Sequence, residues 1–436
     1  MAFEIDRYRA AMREVPGRQE FGKVVEAVGL SIQSQGPQVG LGELCYVEQP
    51  GGADALPAEV VGFREGRVIL MPLGRSREIQ PGAIVRPAHE PFTIPVSQAL
   101  VGRAIDAFGA PIDGQPEIVP ERRIPTERSA PRALARPLIR DVLPTGVRAI
   151  DALTTLGAGQ RIGIFSGPGV GKSVLLGMMA RGSAADVAVI ALVGERSREV
   201  QEFVSRDLGE GGMARSVVVV ATSDEPALVR VQAAFTATAI AEYFRDQGQS
   251  VLLLFDSLTR VATAQREVGL AAGEPPATRG YPPSAFAILP RLLERAGTAP
   301  QGSITGFYTV LVEGDDLQEP VADSARSVLD GHIVLSRELA DAGVFPALDI
   351  GRSISRVMRQ IVSPGHQAAS QKLRAHWTLY EETKDLIRIG AYQAGASPEV
   401  DEAVAMRPRI VQFLRQCENE VVPFDTAVTA LEEVSS

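Results

Sequence analysis

The chain has 436 residues, 45% of them hydrophobic and 22% charged, with a formal net charge of −9. That length suggests two to four domains at about 100–200 residues each, and the composition excludes a disordered chain. The acidic balance argues against a dedicated binder of phosphate backbones, so no nucleic-acid partner is expected.

Residues 1–20 come first. Ile5, Tyr8, Met12 and Val15 recur at spacings of three and four, which predicts a short amphipathic helix stopped by Pro16-Gly17. Such a helix either docks on its own domain or serves as a partner-binding handle. Residues 21–95 form the next unit. Short β-rich runs at 22–28, 44–47, 59–62, 67–71 and 83–86 are separated by Gly and Pro turns, which predicts a small β-barrel. Cys45 lies here and Cys417 near the far end; two cysteines are too few for a disulfide framework or a thiolate metal site.

A Pro- and Gly-rich connector opens the third unit, residues 96–364. From Gly146 onward strand and helix patterns alternate. The apolar runs 161–165, 187–193, 217–221, 251–255, 304–312 and 332–335 read as buried strands. The expected fold is α/β, a mostly parallel sheet with helices on both faces. Beyond residue 364 the strand signals stop. Ser397-Pro398 reads as an N-cap followed by Pro at the first helical position, and residues 365–436 as a helical domain. No run nears the ~18 apolar residues of a membrane span, so a soluble protein of a reducing, cytoplasmic compartment is expected.

The run Arg161-Ile162-Gly163-Ile164-Phe165 leads into Ser166-Gly167-Pro168-Gly169-Val170-Gly171-Lys172-Ser173 and then into a helical pattern. This is a phosphate-binding (Walker A) loop in its strand–loop–helix setting. Gly167, Gly169 and Gly171 let the backbone turn tightly and aim N–H groups at phosphate oxygens. The helix N-terminus adds favourable partial charge. Gly167, Pro168, Gly169, Val170, Gly171, Lys172, Ser173 and Val174 are the candidate nucleotide contacts. Lys172 is expected on the β- and γ-phosphates of ATP and Ser173 on Mg²⁺. Ser166 stands where the strict pattern has Gly.

Four aliphatic residues and Phe255 bury the run that ends in Asp256, so this carboxylate emerges at a strand end as a candidate Mg²⁺ ligand. Glu195 and Arg196 follow another strand run. Glu195 could orient or deprotonate the attacking water and Arg196 could touch the γ-phosphate; alternatively the two make a surface ion pair.

The segments 167–173, 194–196, 256–260, 275–284 and 353–356 together resemble the hexameric ATPases related to rotary ATP synthase. The likeness is greatest to the type III protein-export ATPases, flagellar or injectisome, through 60–74, 309–316, 330–339 and 386–394. It spans roughly residues 20–415. The resemblance implies that Glu195 is the catalytic glutamate. It implies that Arg356 reaches the γ-phosphate of a neighbouring copy in a homohexamer, and that Phe345 packs on the base. An aromatic before Pro could equally be core. The family's second stacking aromatic is absent near Glu418. Asp315 and Asp316 match a loop that would meet a central stalk protein, or they form a solvated acidic loop. By the same resemblance, a stator or negative regulator binds residues 1–20, and chaperones with cargo dock on the C-terminal domain. The ring then sits peripherally at an inner-membrane export gate. The implied function is ATP hydrolysis energising flagellar protein export. The alternatives are an injectisome ATPase or the catalytic subunit of a rotary synthase.

Overall fold

The computed structural model describes residues 20–48, 54–74, 79–312 and 316–436. The expected N-terminal helix and Asp315 lie outside the described residues. Two compact units emerge, one built on residues before Thr93 and one on most of the remainder.

The first unit is a closed six-stranded barrel. Its strands are β1 (Gly22–Val28), β2 (Ser31–Gln35), β3 (Leu44–Val47), β4 (Leu56–Arg64), β5 (Arg67–Pro72) and β6 (Ile84–Pro87). They close in the order β1-β2-β5-β4-β3-β6. Alternate residues fill the interior: Val24, Ile32, Val47, Ala58, Val60, Leu70 and Val85. The sequence reading found every strand except β2, whose SIQSQ is mostly polar. Ser34 is nonetheless fully buried there, because its hydroxyl donates to the carbonyls of Lys23 (3.1 Å) and Gly36 (2.6 Å). Burial, with help from Glu43, pushes the Cys45 thiol up to about 12, which makes it an inert core residue.

In the second unit, β7 (Thr93–Val96) pairs with β9 (Arg122–Pro125). The main sheet takes β8 (Arg103–Ile105), β10 (Arg161–Ser166), β11 (Val187–Val193), β12 (Ser216–Ala221) and β13 (Ser250–Asp256). It continues with β14 (Gly297–Thr298), β15 (Ser303–Leu311), β16 (Gly331–Leu335) and β17 (Leu348–Ser355). The path is β17-β16-β10-β15-β13-β11-β12-β8, with β14 attached to β15. Pairing is parallel except at β17 on β16 and β14 on β15. All seven residues of β11 are buried, as expected when helices cover both faces.

Three helices, Pro364–Arg388, Pro398–Leu414 and Phe424–Ser435, close the chain. Ser397 caps the second through Val400 N–H, with Pro398 in its first turn. Leu373, Trp377, Ile410, Phe413 and Leu431 join Ile162, Ile164 and Leu176 in one continuous core. Among the described residues no helix is long and apolar enough to cross a membrane.

Candidate nucleotide site

Four adjacent strands, β10, β15, β13 and β11, run parallel and end on the same edge. Neighbouring strands lie about 4.8 Å apart, so groups at their ends converge. β10 delivers the phosphate loop, β15 delivers Thr309, β13 delivers Asp256, and β11 leads through Gly194 to Glu195. This is the carboxyl edge where open α/β sheets collect ligands.

Gly171 takes a φ of +88° as the N-cap of helix Lys172–Gly182, a conformation that favours glycine. The helix's unpaired N–H groups therefore gather at the loop. Arg337 Nη2 donates to the Pro168 carbonyl at 2.8 Å and braces the loop from outside. A Cβ on Gly171 would lie 3.4 Å from Phe345 Cδ1, so Phe345 stands against the loop, half exposed.

Lys172 Nζ donates to Asp256 Oδ1 at 2.6 Å and lies 3.6 Å from Glu195 Oε1. Thr309 Oγ1 donates to the same Asp256 oxygen at 2.7 Å. Burial works against the Lys172 charge, but Asp256 and Glu195 outweigh it and hold the ammonium above its ordinary range. Burial first, and then the Asp256 charge, push Glu195 up to about 7 against the pull of Lys172. Glu199, in the first turn of helix Ser197–Glu202, shares a hydrogen bond with Glu195; that bond lowers Glu199 and raises Glu195 further. Arg260 adds positive potential beside both carboxylates. Its Nε is buried with no hydrogen-bond partner among the described residues. Gly194 lets it approach, since a Cβ there would press within 2.9 Å of Arg260 Cβ.

Lys172, Glu195, Glu199, Asp256 and Arg260 line a cleft of about 450 Å³. Of the expected site residues, the loop glycines, Lys172, Ser173, Val174, Glu195 and Asp256 share it. Arg196 stands at the rim, its side chain 78% exposed and 3.6 Å from Glu199. Arg356 is elsewhere. It follows β17, exposed, and lines a separate groove of about 710 Å³ with Arg352, Arg359 and Arg374. Asp316 Oδ2 sits 3.9 Å from Arg279. Thr309, Glu199, Arg260 and Arg337 had no assigned role in the sequence reading. Thr309, Arg260 and Arg337 lie within the segments that carry the resemblance, but only the strand register brings Thr309 to Asp256.

Residues 146–355 match the nucleotide-binding domain of the ATP synthase alpha/beta family, and residues 24–88 match its beta-barrel domain. Residues 362–433 match the T3SS EscN ATPase C-terminal domain. The flagellum-specific ATP synthase of Bacillus subtilis (strain 168) is 53% identical over 95% of this chain and 94% of its own length. The type 3 secretion system ATPase of Xanthomonas euvesicatoria is 48% identical over 96% and 94%. The assembled EscN ATPase of the enteropathogenic E. coli type III secretion system superimposes with a TM-score of 0.90. It is 45% identical, covering 95% of this chain and all of that one.

The chain belongs to the type III export ATPases. Its enzymatic class is therefore ATP hydrolase, in the family whose flagellar and secretion branches energise type III export. Barrel, parallel sheet and C-terminal helices are those of the assembled EscN ATPase. In this export ATPase the second aromatic was expected near Glu418, whose carbonyl accepts from Arg181. Phe345 stands beside the loop at Gly171.

Proposed function

We propose that this ATPase cleaves ATP at a site shared by two of its copies and serves flagellar protein export. One observation carries the shared site. Arg356 lines a groove apart from the phosphate loop of its own chain, whereas the other polar groups proposed for the chemistry line one cleft. A guanidinium so placed has a triphosphate to act on only if another copy brings one. The description of the similar EscN structure as an assembled ATPase supports this reading. The flagellar assignment is supported by 53% identity to a flagellum-specific relative, against 48% for a secretion-system relative.

In this mechanism the phosphates lie on the backbone N–H groups of Gly169 to Ser173, since Pro168 has none to offer. Lys172 exchanges its carboxylate partners for β- and γ-phosphate oxygens. Phe345 offers one face for the base to stack on. Glu195 aligns a water in line with the β,γ-bridge and takes its proton. The new bond joins the water oxygen to the γ-phosphorus as the bridging P–O bond breaks, leaving ADP and phosphate. Arg356 of the next copy spreads two donors over the charge that develops. Arg196 would join at the γ-phosphate by leaving Glu199.

Ser173 and Asp256 are the residues that would hold Mg²⁺. One hydroxyl, one carboxylate and the nucleotide's own oxygens suit this hard cation, which keeps much of its shell as water and phosphate. Among the described residues no cluster of three or more His, Cys, Asp or Glu side chains competes for a metal. When bound, the ion neutralises charge on the β- and γ-phosphates.

The homohexamer, a central stalk protein near Asp315 and Asp316, a regulator on residues 1–20, and chaperones with cargo on the C-terminal helices complete the proposal. So does a peripheral seat at the inner-membrane export apparatus. A similar EscN structure is in complex with its central stalk EscO, which supports the stalk. The test is ATPase rate per mole of chain against protein concentration. A rate that climbs steeply with assembly is expected; a constant rate down to the isolated monomer refutes the shared site.

A further inference from the structure

The strand that carries Arg356 is irregular. β17 pairs with β16 at Leu348 and Asp349, and again at Ile354 and Ser355, but the residues between bulge out of register. The bulge is tightly made. Asp349 Oδ1 accepts from Gly351 N–H at 3.0 Å and Arg352 N–H at 3.2 Å. Ser353 Oγ donates to the Asp349 carbonyl at 2.6 Å and accepts from Val334 N–H at 3.0 Å. Bulges of this kind re-aim the side chains around them. Here Arg356 comes immediately after the strand resumes.

A bulge leaves carbonyls without ladder partners, and those of Ile350 and Ser353 point to Arg374. This arginine belongs to the long C-terminal helix Pro364–Arg388. Its guanidinium donates to the Ile350 carbonyl, to Ser353 O at 2.8 Å, to the Leu153 carbonyl and to Thr154 Oγ1 at 3.0 Å. Burial pushes it down to about 10, opposed by Asp349, so it remains a cation at neutral pH. Three residues further along the same helix, Trp377 lies under the bulge: a Cβ on Gly351 would meet its Cδ1 at 3.3 Å. Residues three apart share a helix face. The bulge is therefore moulded on one face of the C-terminal helix, and Arg374 ties it to the end of helix Arg148–Leu153 as well.

We propose that Arg374 is a positioning residue for hydrolysis in the neighbouring copy: by holding the β17 bulge it sets where Arg356 projects across the subunit boundary. This rests on the shared-site reading above. It adds that the C-terminal helix of one copy controls the chemistry of the next. A guanidinium is suited to the task, because four acceptors in different directions need its fixed fork of donors.

The test uses the full-length chain in mixtures. Arg374→Gln alone is expected to lower kcat by about 10–100-fold, the scale of a misplaced catalytic group, with the KM for ATP within about twofold of wild type. Glu195→Gln copies keep a sound Arg356 face but a dead cleft. Mixed with Arg374→Gln copies, they are expected to restore turnover well above the sum of the two alone. Arg356→Ala copies share the faulty face and restore nothing. Should Arg374→Gln fail to assemble, Arg374→Lys replaces it in the same mixtures, since it keeps the charge and stem but not the fork. Wild-type kcat in the Arg374 variant, or recovery with Arg356→Ala but not with Glu195→Gln, overturns the proposal. So does a loss that neither mixture relieves. If Arg356→Ala itself turns over normally, the shared-site reading fails first, and the two failures are told apart.

Discussion

The two basic centres of the nucleotide-binding unit are built in opposite ways. In the phosphate-loop cleft, Lys172 is paired with Asp256 and lies 3.6 Å from Glu195. At the β17 groove, Arg352, Arg356 and Arg359 are exposed, and the half-buried Arg374 is satisfied by carbonyls and a hydroxyl. The first centre balances its own charge, so in the proposed mechanism ATP binding is an exchange of partners. The second gathers exposed positive charge on a surface apart from the phosphate loop. In the proposed shared site, one chain brings the two halves on separate surfaces.

The largest expected effect tests the second half. Arg356→Ala should lower kcat by about 10³–10⁵, the range for a trans arginine on a transferring phosphoryl group. Nucleotide affinity, read by equilibrium binding, should stay nearly unchanged. A loss below about tenfold would break the contrast, because Arg356 would then be an ordinary surface cation. Next comes the first half. Glu195→Gln should cost about 10²–10⁴ in kcat, the worth of a positioned general base, and should leave ATP binding intact. Unimpaired turnover would remove Glu195 from the mechanism.

The smallest effect sharpens the electrostatics of the cleft. Glu195 is raised to about 7 by burial and by Asp256, so below that pH it carries the proton it must accept. In the free enzyme kcat/KM should therefore rise with pH through about 7 and flatten above it. Glu199 raises Glu195 through the hydrogen bond they share. Glu199→Gln removes that charge, so the acid limb should move to lower pH. A limb that stays in place would mean that another group titrates.

Much of the cleft was legible in the residues. The phosphate loop announces itself because the backbone must turn on glycines and begin a helix at Lys172. Asp256 and the approach to Glu195 were legible because a run buried on both sides must be a central strand, and its end must surface at the ligand edge. Strand β2 was missed because its buried Ser34 looks polar until its carbonyl partners are known. Thr309 and Arg260 lacked roles for a similar reason: their importance lies in register and approach across strands, which local pattern does not encode. The β17 bulge was likewise invisible, since nothing in Asp349-Ile350-Gly351-Arg352-Ser353 marks which carbonyls lose their ladder partners.

Local chemistry along the chain therefore determined the unit types, the nucleotide loop and the identities of the charged groups. Turn residues, apolar runs and glycine spacing act over a few positions and can be read directly. Tertiary structure decided which charges meet. It put Lys172 and Thr309 against Asp256, and kept Arg356 away from its own phosphate loop. Those outcomes depend on strand order and on helices packing from far along the chain, because electrostatic and hydrogen-bond energies are set by distances in space and not by separation in sequence.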